Sequence, residues 1–254
     1  MTKHRAIHLI LAAACITAGW FFPQLLPLKD AGFVLLCFIS ALQTLLMFGV
    51  PALLLIRGFG LSATQAMRLY QKPSSLHTGL MMASAVSYTL VGSLLGAMVH
   101  AVLSSFGMKI PLPVAIVPKT LVDLLVATLT IGIITALCEE LMFRMALPRL
   151  LGLKLGPGWT VAISSLAFAA LHFNVIAFVP MLFFSLILFR VTEKRGSFLL
   201  AVIFHAMYNF SILMMNYADA RPTLGMMGIS LAVFVFTTRL LVREEQHEVD
   251  RSGM

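Results

Sequence analysis

Eight stretches of this chain are too apolar to be left in water. They run over residues 7–28, 31–56, 76–106, 120–148, 159–173, 174–190, 197–217 and 224–242, and most are long enough to cross a bilayer. Only 11% of the 254 residues are charged, whereas ordinary soluble domains carry about 25%. A soluble globular domain, a disordered chain and a secreted disulfide scaffold are all excluded by that balance. The expected fold is all-α, a polytopic membrane bundle of about eight transmembrane helices that forms one domain over residues 1–254. No fixed-period repeat and no second soluble domain interrupts it. Cys15, Cys37 and Cys138 each lie inside an apolar run without CxxC or metal-finger spacing, so they read as packing residues.

The first stretch follows Lys3 and Arg5, as the core of a signal peptide would, and Leu-Ala-Ala-Ala-Cys at 11–15 is faintly like a lipoprotein cleavage box. Apolarity nevertheless continues through Trp20, Phe21 and Phe22, which predicts a retained membrane helix. One helix over 159–190 would be about 48 Å long, against a hydrocarbon core of about 30 Å, so two limbs are expected there. Loop charge supports the division. With eight spans and both termini cytoplasmic, 14 of the 18 Lys and Arg residues fall on the inner side, leaving Lys29, Lys109, Lys119 and Arg221 outside. Merging 159–190 into one span would divide the 18 equally, 9 and 9, and erase the bias. The formal charge of +8 is thereby explained by topology and contact with anionic lipid, and no nucleic-acid partner is implied. Residues 57–75, with Arg68 and Lys72, read as a loop with a short interfacial helix, and the tail carrying Glu244, Glu245, Glu248 and Asp250 as solvated.

Once the spans are drawn, the polar residues inside them carry the functional information. Leu-Cys-Glu-Glu-Leu-Met-Phe-Arg at 137–144 places Glu139, Glu140 and Arg144 near the end of the fourth span. Each ionised group at mid-bilayer costs about 2.5–3.5 kcal/mol on insertion scales, so these three need partners or a wet cavity. Glu140 and Arg144 are one helical turn apart and can pair, whereas Glu139 points about 100° away. Phe168 and His172 in the fifth span, and His205 and Asn209 in the seventh, repeat the four-residue interval. Counted at about 1.5 Å per residue from the inner ends, Glu139, His172, His205 and Asn209 lie about 12–20 Å deep, which predicts one shared layer. Gln43, Thr44, Ser87, Tyr88, Thr128, Thr130, Ser164, Ser165 and Ser211 suit hydrogen bonds between helices, and Gly92 with Gly96 forms a small-residue contact surface.

A carboxylate and two imidazoles in a partly dry layer can act on water in two ways. Glu139 can serve as general base while His172 holds the water, with N–H donors of His205 and Asn209 stabilising an oxyanion. Alternatively, Glu139, His172 and His205 form a plausible three-ligand set for zinc with an open water position. The helical HExxH pair of many zinc proteases is missing, and no GxSxG turn frames Ser164 or Ser165 as a nucleophile.

Glu139-Glu140-x-x-x-Arg144, Phe168-x-x-x-His172 and His205-x-x-x-Asn209, in that order, resemble the three-part signature of the CPBP intramembrane proteases, also called the Abi or CAAX-protease family. The resemblance covers about residues 120–217, the expected catalytic core. It implies that Glu139 and His172 activate water, that His205 and Asn209 form the oxyanion site, and that Glu140, Arg144 and Phe168 support them. Members are described as glutamic proteases or as metalloproteases; the glutamic reading implies no cofactor and leaves zinc as the alternative. The implied partners are a membrane-tethered peptide or protein substrate and the lipid bilayer, with residence in the cell membrane, by economy of design a bacterial inner membrane. Two rival readings are a proton-coupled transporter, since buried acids and histidines also mark ion paths, and a non-enzymatic scaffold or immunity factor.

Overall fold

The computed structural model describes residues 3–60, 72–110 and 116–243. Most of the expected interfacial segment at 57–75 and the acidic tail lie outside these residues. Every described regular element is helical, and eight helices organise the chain: α1 (Lys3–Leu25), α2 (Phe33–Phe59), α3 (Ser75–Ser105), α4 (Leu121–Gly152), α5 (Pro157–Ala170), α6 (Val175–Arg195), α7 (Phe198–Tyr217) and α8 (Leu224–Val242). Seven are long and apolar enough to cross a membrane. The exception is α5, whose 14 residues rise only about 21 Å.

The break expected between the fifth and sixth stretches is real and lies at 171–174. Here Phe173 adopts a left-handed backbone (φ 46°), which turns the chain back on itself. The Asn174 carboxamide oxygen then accepts from the backbone N–H groups of Ile176 and Ala177 and starts α6. Short as α5 is, its turn reaches the far end of α1, where the Phe173 and Trp20 rings lie 4.9 Å apart.

Basic residues gather at the opposite end of the bundle. Arg5 stands over the Phe59 ring at 5.5 Å, joining the start of α1 to the end of α2. Arg195, at the end of α6, donates to the carbonyls of Leu240, Leu241 and Arg243. It thus satisfies the last turn of α8, where carbonyls lack helical donors and a cation is favoured.

The core sits between α3, α4, α6, α7 and α8. Phe184 is its hub, stacked on Phe168 (5.6 Å, 4°) and edge-on to Phe204, Tyr208 and His205 at 5.0–5.2 Å. Such offset and edge contacts are each worth about 0.5–1.5 kcal/mol beyond area burial. The Tyr88 hydroxyl donates to the Pro180 carbonyl (2.5 Å) and Ser84 meets Thr238 (3.1 Å), bonds that tie α3 to α6 and α8. Several other hydroxyls expected to link helices instead donate within their own helix: Thr128 to Leu124, Thr130 to Val126 and Ser211 to Met207. A Ser or Thr hydroxyl reaches the carbonyl one turn back without needing a neighbour. Cys37 and Cys138 are buried free thiols, and Cys15 is partly buried.

Candidate active site

Helix α4 does not keep one winding. Residues Thr128–Ile134 and Leu141–Ala146 are wider π-helical turns that flank a regular turn, Thr135–Glu140, carrying both glutamates. Inserted residues of this kind re-aim the side chains beyond them and recur at functional sites. A third π-turn, Leu45–Gly49 in α2, packs against this part of α4. Its Gly49 is required by proximity, because a Cβ there would come within 2.9 Å of the Cys138 sulfur.

The two neighbouring glutamates enter different surroundings. Glu140 is fully buried, with Oε2 3.1 Å from Arg144 Nε and Oε1 2.8 Å from His205 Nδ1. The Arg144 guanidinium lies between two aromatic faces, 5.1 Å from the Phe168 centroid and 4.9 Å from that of Phe189. Its terminal nitrogens find no hydrogen-bond acceptor among the described residues. The rings therefore take the place of acceptors for a cation held out of water. Arg144, Glu140 and His205 form one chain of contacts from α4 to α7. With Nδ1–H donated to Glu140, the imidazole is fixed in orientation and turns Nε2 toward Glu139, whose Oε2 is 3.8 Å away.

Glu139 instead faces a small cavity of about 50 Å³ lined by Phe48, Glu139, Phe143, Phe168, Leu171 and His172. That space suffices for water and is too small for a peptide without movement of the surrounding side chains. His172 was expected inside the fifth span, but α5 ends at Ala170 and places it on the exposed turn that follows. The turn preserves the four-residue relation all the same: His172 Nδ1 lies 2.9 Å from the Phe168 carbonyl. A carbonyl can only accept, so Nδ1 carries the proton and a neutral His172 leaves Nε2 free to accept one.

The structure thus brings Glu139 together with His172 on one cavity, and with His205 across 3.8 Å. Phe168 is shared by both arms, with its ring centroid 5.0 Å from that of His172 and 5.9 Å from that of His205. Asn209 lies one turn farther along α7 and does not line the cavity; its amide donates to the Ile131 carbonyl in the first π-turn of α4 at 3.0 Å. Phe48, Phe143, Leu171, Phe184 and Phe189 were not singled out from sequence, since an aromatic or Leu in an apolar run carries no mark of which way it faces.

The zinc alternative requires Glu139, His172 and His205 to converge on a point. Among the described residues, no group of three or more His, Cys, Asp or Glu side chains is close enough to hold a metal ion.

Residues 121–211 match the family model described as type II CAAX prenyl endopeptidase Rce1-like. No curated protein and no solved structure gives a match.

Proposed function

We propose that this chain, which carries the core of the Rce1-like CAAX endopeptidase family over residues 121–211, cuts membrane-associated peptides by water attack inside the bundle. A CAAX-type intramembrane protease is the general function that the family supports. The observation that carries the finer reading is the placing of Glu139 and His172 on one water-sized cavity, while the adjacent Glu140 is committed to Arg144 and His205.

In this mechanism Glu139 removes a proton from a water held by His172 Nε2, and the resulting hydroxide attacks the carbonyl carbon of the scissile amide. The carbonyl oxygen becomes an oxyanion. His205, protonated at Nε2 and held at Nδ1 by Glu140, donates to it, and the charge of Glu140 is shared with Arg144. Asn209 has one amide hydrogen on Ile131 and a second for the same oxyanion. As the intermediate collapses, Glu139 returns the proton to the leaving nitrogen and the C–N bond breaks, giving a carboxylic acid and an amine. No metal or other cofactor enters these steps, and we expect chelators to leave the rate unchanged. The basic end of the bundle, with Arg5, Arg195 and Arg243, is assigned to the cytoplasm, which places both termini there.

The test is cleavage of a membrane-tethered reporter by the full chain in proteoliposomes. Glu139→Ala is expected to abolish cutting while the protein remains folded in the membrane; undiminished cutting would refute the assignment of the base.

A further inference from the structure

The cation that α4 carries into the core is only partly matched by its ion pair. Arg144 Nε faces Glu140 at 3.1 Å, while Nη1 and Nη2 are buried and make no hydrogen bond among the described residues. The rings of Phe168 and Phe189 attract the charge through their faces. The N–H bonds, however, lie in the guanidinium plane and call for acceptors there.

Hydroxyls with the same deficit gather on the two helices that supply those rings. On α5, Ser164 and Ser165 stand four and three residues before Phe168, and on α6, Ser185 stands four before Phe189 and Thr192 three after it. Residues at these intervals are neighbours on a helix surface, so each hydroxyl lies within one turn, about 6 Å along the axis, of a ring that meets the guanidinium. Thr160 continues the α5 row one turn before Ser164. All five residues are at least nine-tenths buried, and none of their hydroxyl oxygens has a hydrogen-bond partner among the described residues. Elsewhere in the bundle Thr128, Thr130 and Ser211 close such a bond to the carbonyl one turn back. Ser164 and Ser165 make neither that bond nor the one between helices that their sequence context suggested.

The Phe168–Phe184 stack, at 5.6 Å, fixes the level of α5 against the antiparallel α6. Counting four residues from each ring toward the basic end brings Ser164 level with Leu188, next to Phe189. A further turn brings Thr160 level with Thr192, three residues from Pro157 at the start of α5 and from Arg195 at the end of α6. The hydroxyls thus mark a seam that leads from the basic end to Arg144. A guanidinium can only donate, and unmatched buried hydroxyls are unfavourable, so the seam suits a small molecule that both accepts and donates. An anion would accept from the same groups, but Glu140 already balances the charge of Arg144, and a second negative charge would be left uncompensated in the core.

We propose that ordered water is bound between α4, α5 and α6, where it bridges the Arg144 Nη groups to the hydroxyls of Ser164, Ser165 and Ser185 and exchanges with the basic end past Thr160 and Thr192. Buried water commonly serves such groups, with two to four polar partners for each molecule. One consequence rests on the protease reading above: the chain from Arg144 through Glu140 to His205 stays hydrated from a side other than the cavity that a peptide would fill.

Two measurements on the full chain test the site, and neither requires cleavage, so each stands or fails apart from the protease reading. In nanodiscs, hydroxyl radicals generated by X-rays from bound water label the side chains beside it. Leu188 and Leu200 are alike in type and both 0% exposed, and Leu188 is expected to be labelled several times faster, with the excess lost when Ser164→Val and Ser185→Val are combined. Equal labelling of the two leucines, or an excess that survives the double substitution, overturns the proposal. In detergent, Ser164→Ala and Ser185→Ala are each expected to lower the unfolding midpoint, because each removes a bond to water. An unchanged or raised midpoint means that the hydroxyl had no partner to lose and overturns it. A wild-type midpoint that rises when chloride replaces gluconate at constant ionic strength assigns the seam to an anion and overturns it as well.

Discussion

The two ends of the sequence meet the membrane in different ways. Helices α1 and α2 present Ile10, Leu25, Leu35, Phe38 and Leu53 outward, each about half exposed or more, and bury little beyond small or sulfur-bearing residues such as Ala12, Cys37, Ala41 and Ala52. Helices α4 to α7 bury Glu140, Arg144 and His205 among aromatic rings and, with the turn between α5 and α6, carry every residue of the proposed chemistry. The difference is one of solvent. Lipid replaces lipid at no great cost on the first pair, so many apolar sequences would serve there. A buried ion network must be completed in every member, so the second group tolerates few changes. Among the described residues of α1 and α2, Phe48 alone reaches across to help line the cavity.

Substitutions that separate the two regions have effects of graded size. Glu140→Ala is expected to be the most damaging to folding, because it strands Arg144 in an aromatic cage with its charge uncompensated; the loss should be about 3–5 kcal/mol, read as a lower unfolding midpoint in detergent. His172→Ala, on an exposed turn, is expected to leave that midpoint unchanged and slow reporter cleavage about 10²-fold, a gap that a structural role could not produce. Asn209→Ala removes one bond between α7 and the π-turn of α4 and should lower stability by about 0.6–1.7 kcal/mol, with a further drop in kcat if its second amide hydrogen serves the oxyanion. Leu35→Ala, on the lipid-facing side of α2, should fall within about 0.5 kcal/mol of wild type in the same unfolding assay. A large effect at Leu35, or none at Glu140, would collapse the contrast between the regions.

What could be read from sequence follows the range of the interaction. The pairing of Glu140 with Arg144 was legible because both lie on one helix, four residues apart, and the structure forms it at 3.1 Å. The contact of Glu140 with His205 spans 65 positions, and no local periodicity announces it. The π-turns of α4 were invisible for a related reason: no Pro marks Thr128–Ile134, and the wider winding is paired with tertiary contacts such as that from Asn209 to Ile131. Charge asymmetry among loops correctly required a break within 159–190, but it could not show that α5 stops at Ala170 and leaves His172 on a turn.

The central claim is that two consecutive carboxylates divide the work, Glu139 acting on water and Glu140 holding the frame. It is tested most directly by measuring reporter cleavage and unfolding midpoint together in Glu139→Gln, a change that preserves shape and removes the base. The account predicts a wild-type midpoint with cleavage reduced at least about 10²-fold. Wild-type cleavage in that variant, or loss of cleavage accompanied by an unfolding shift as large as that of Glu140→Ala, would contradict it.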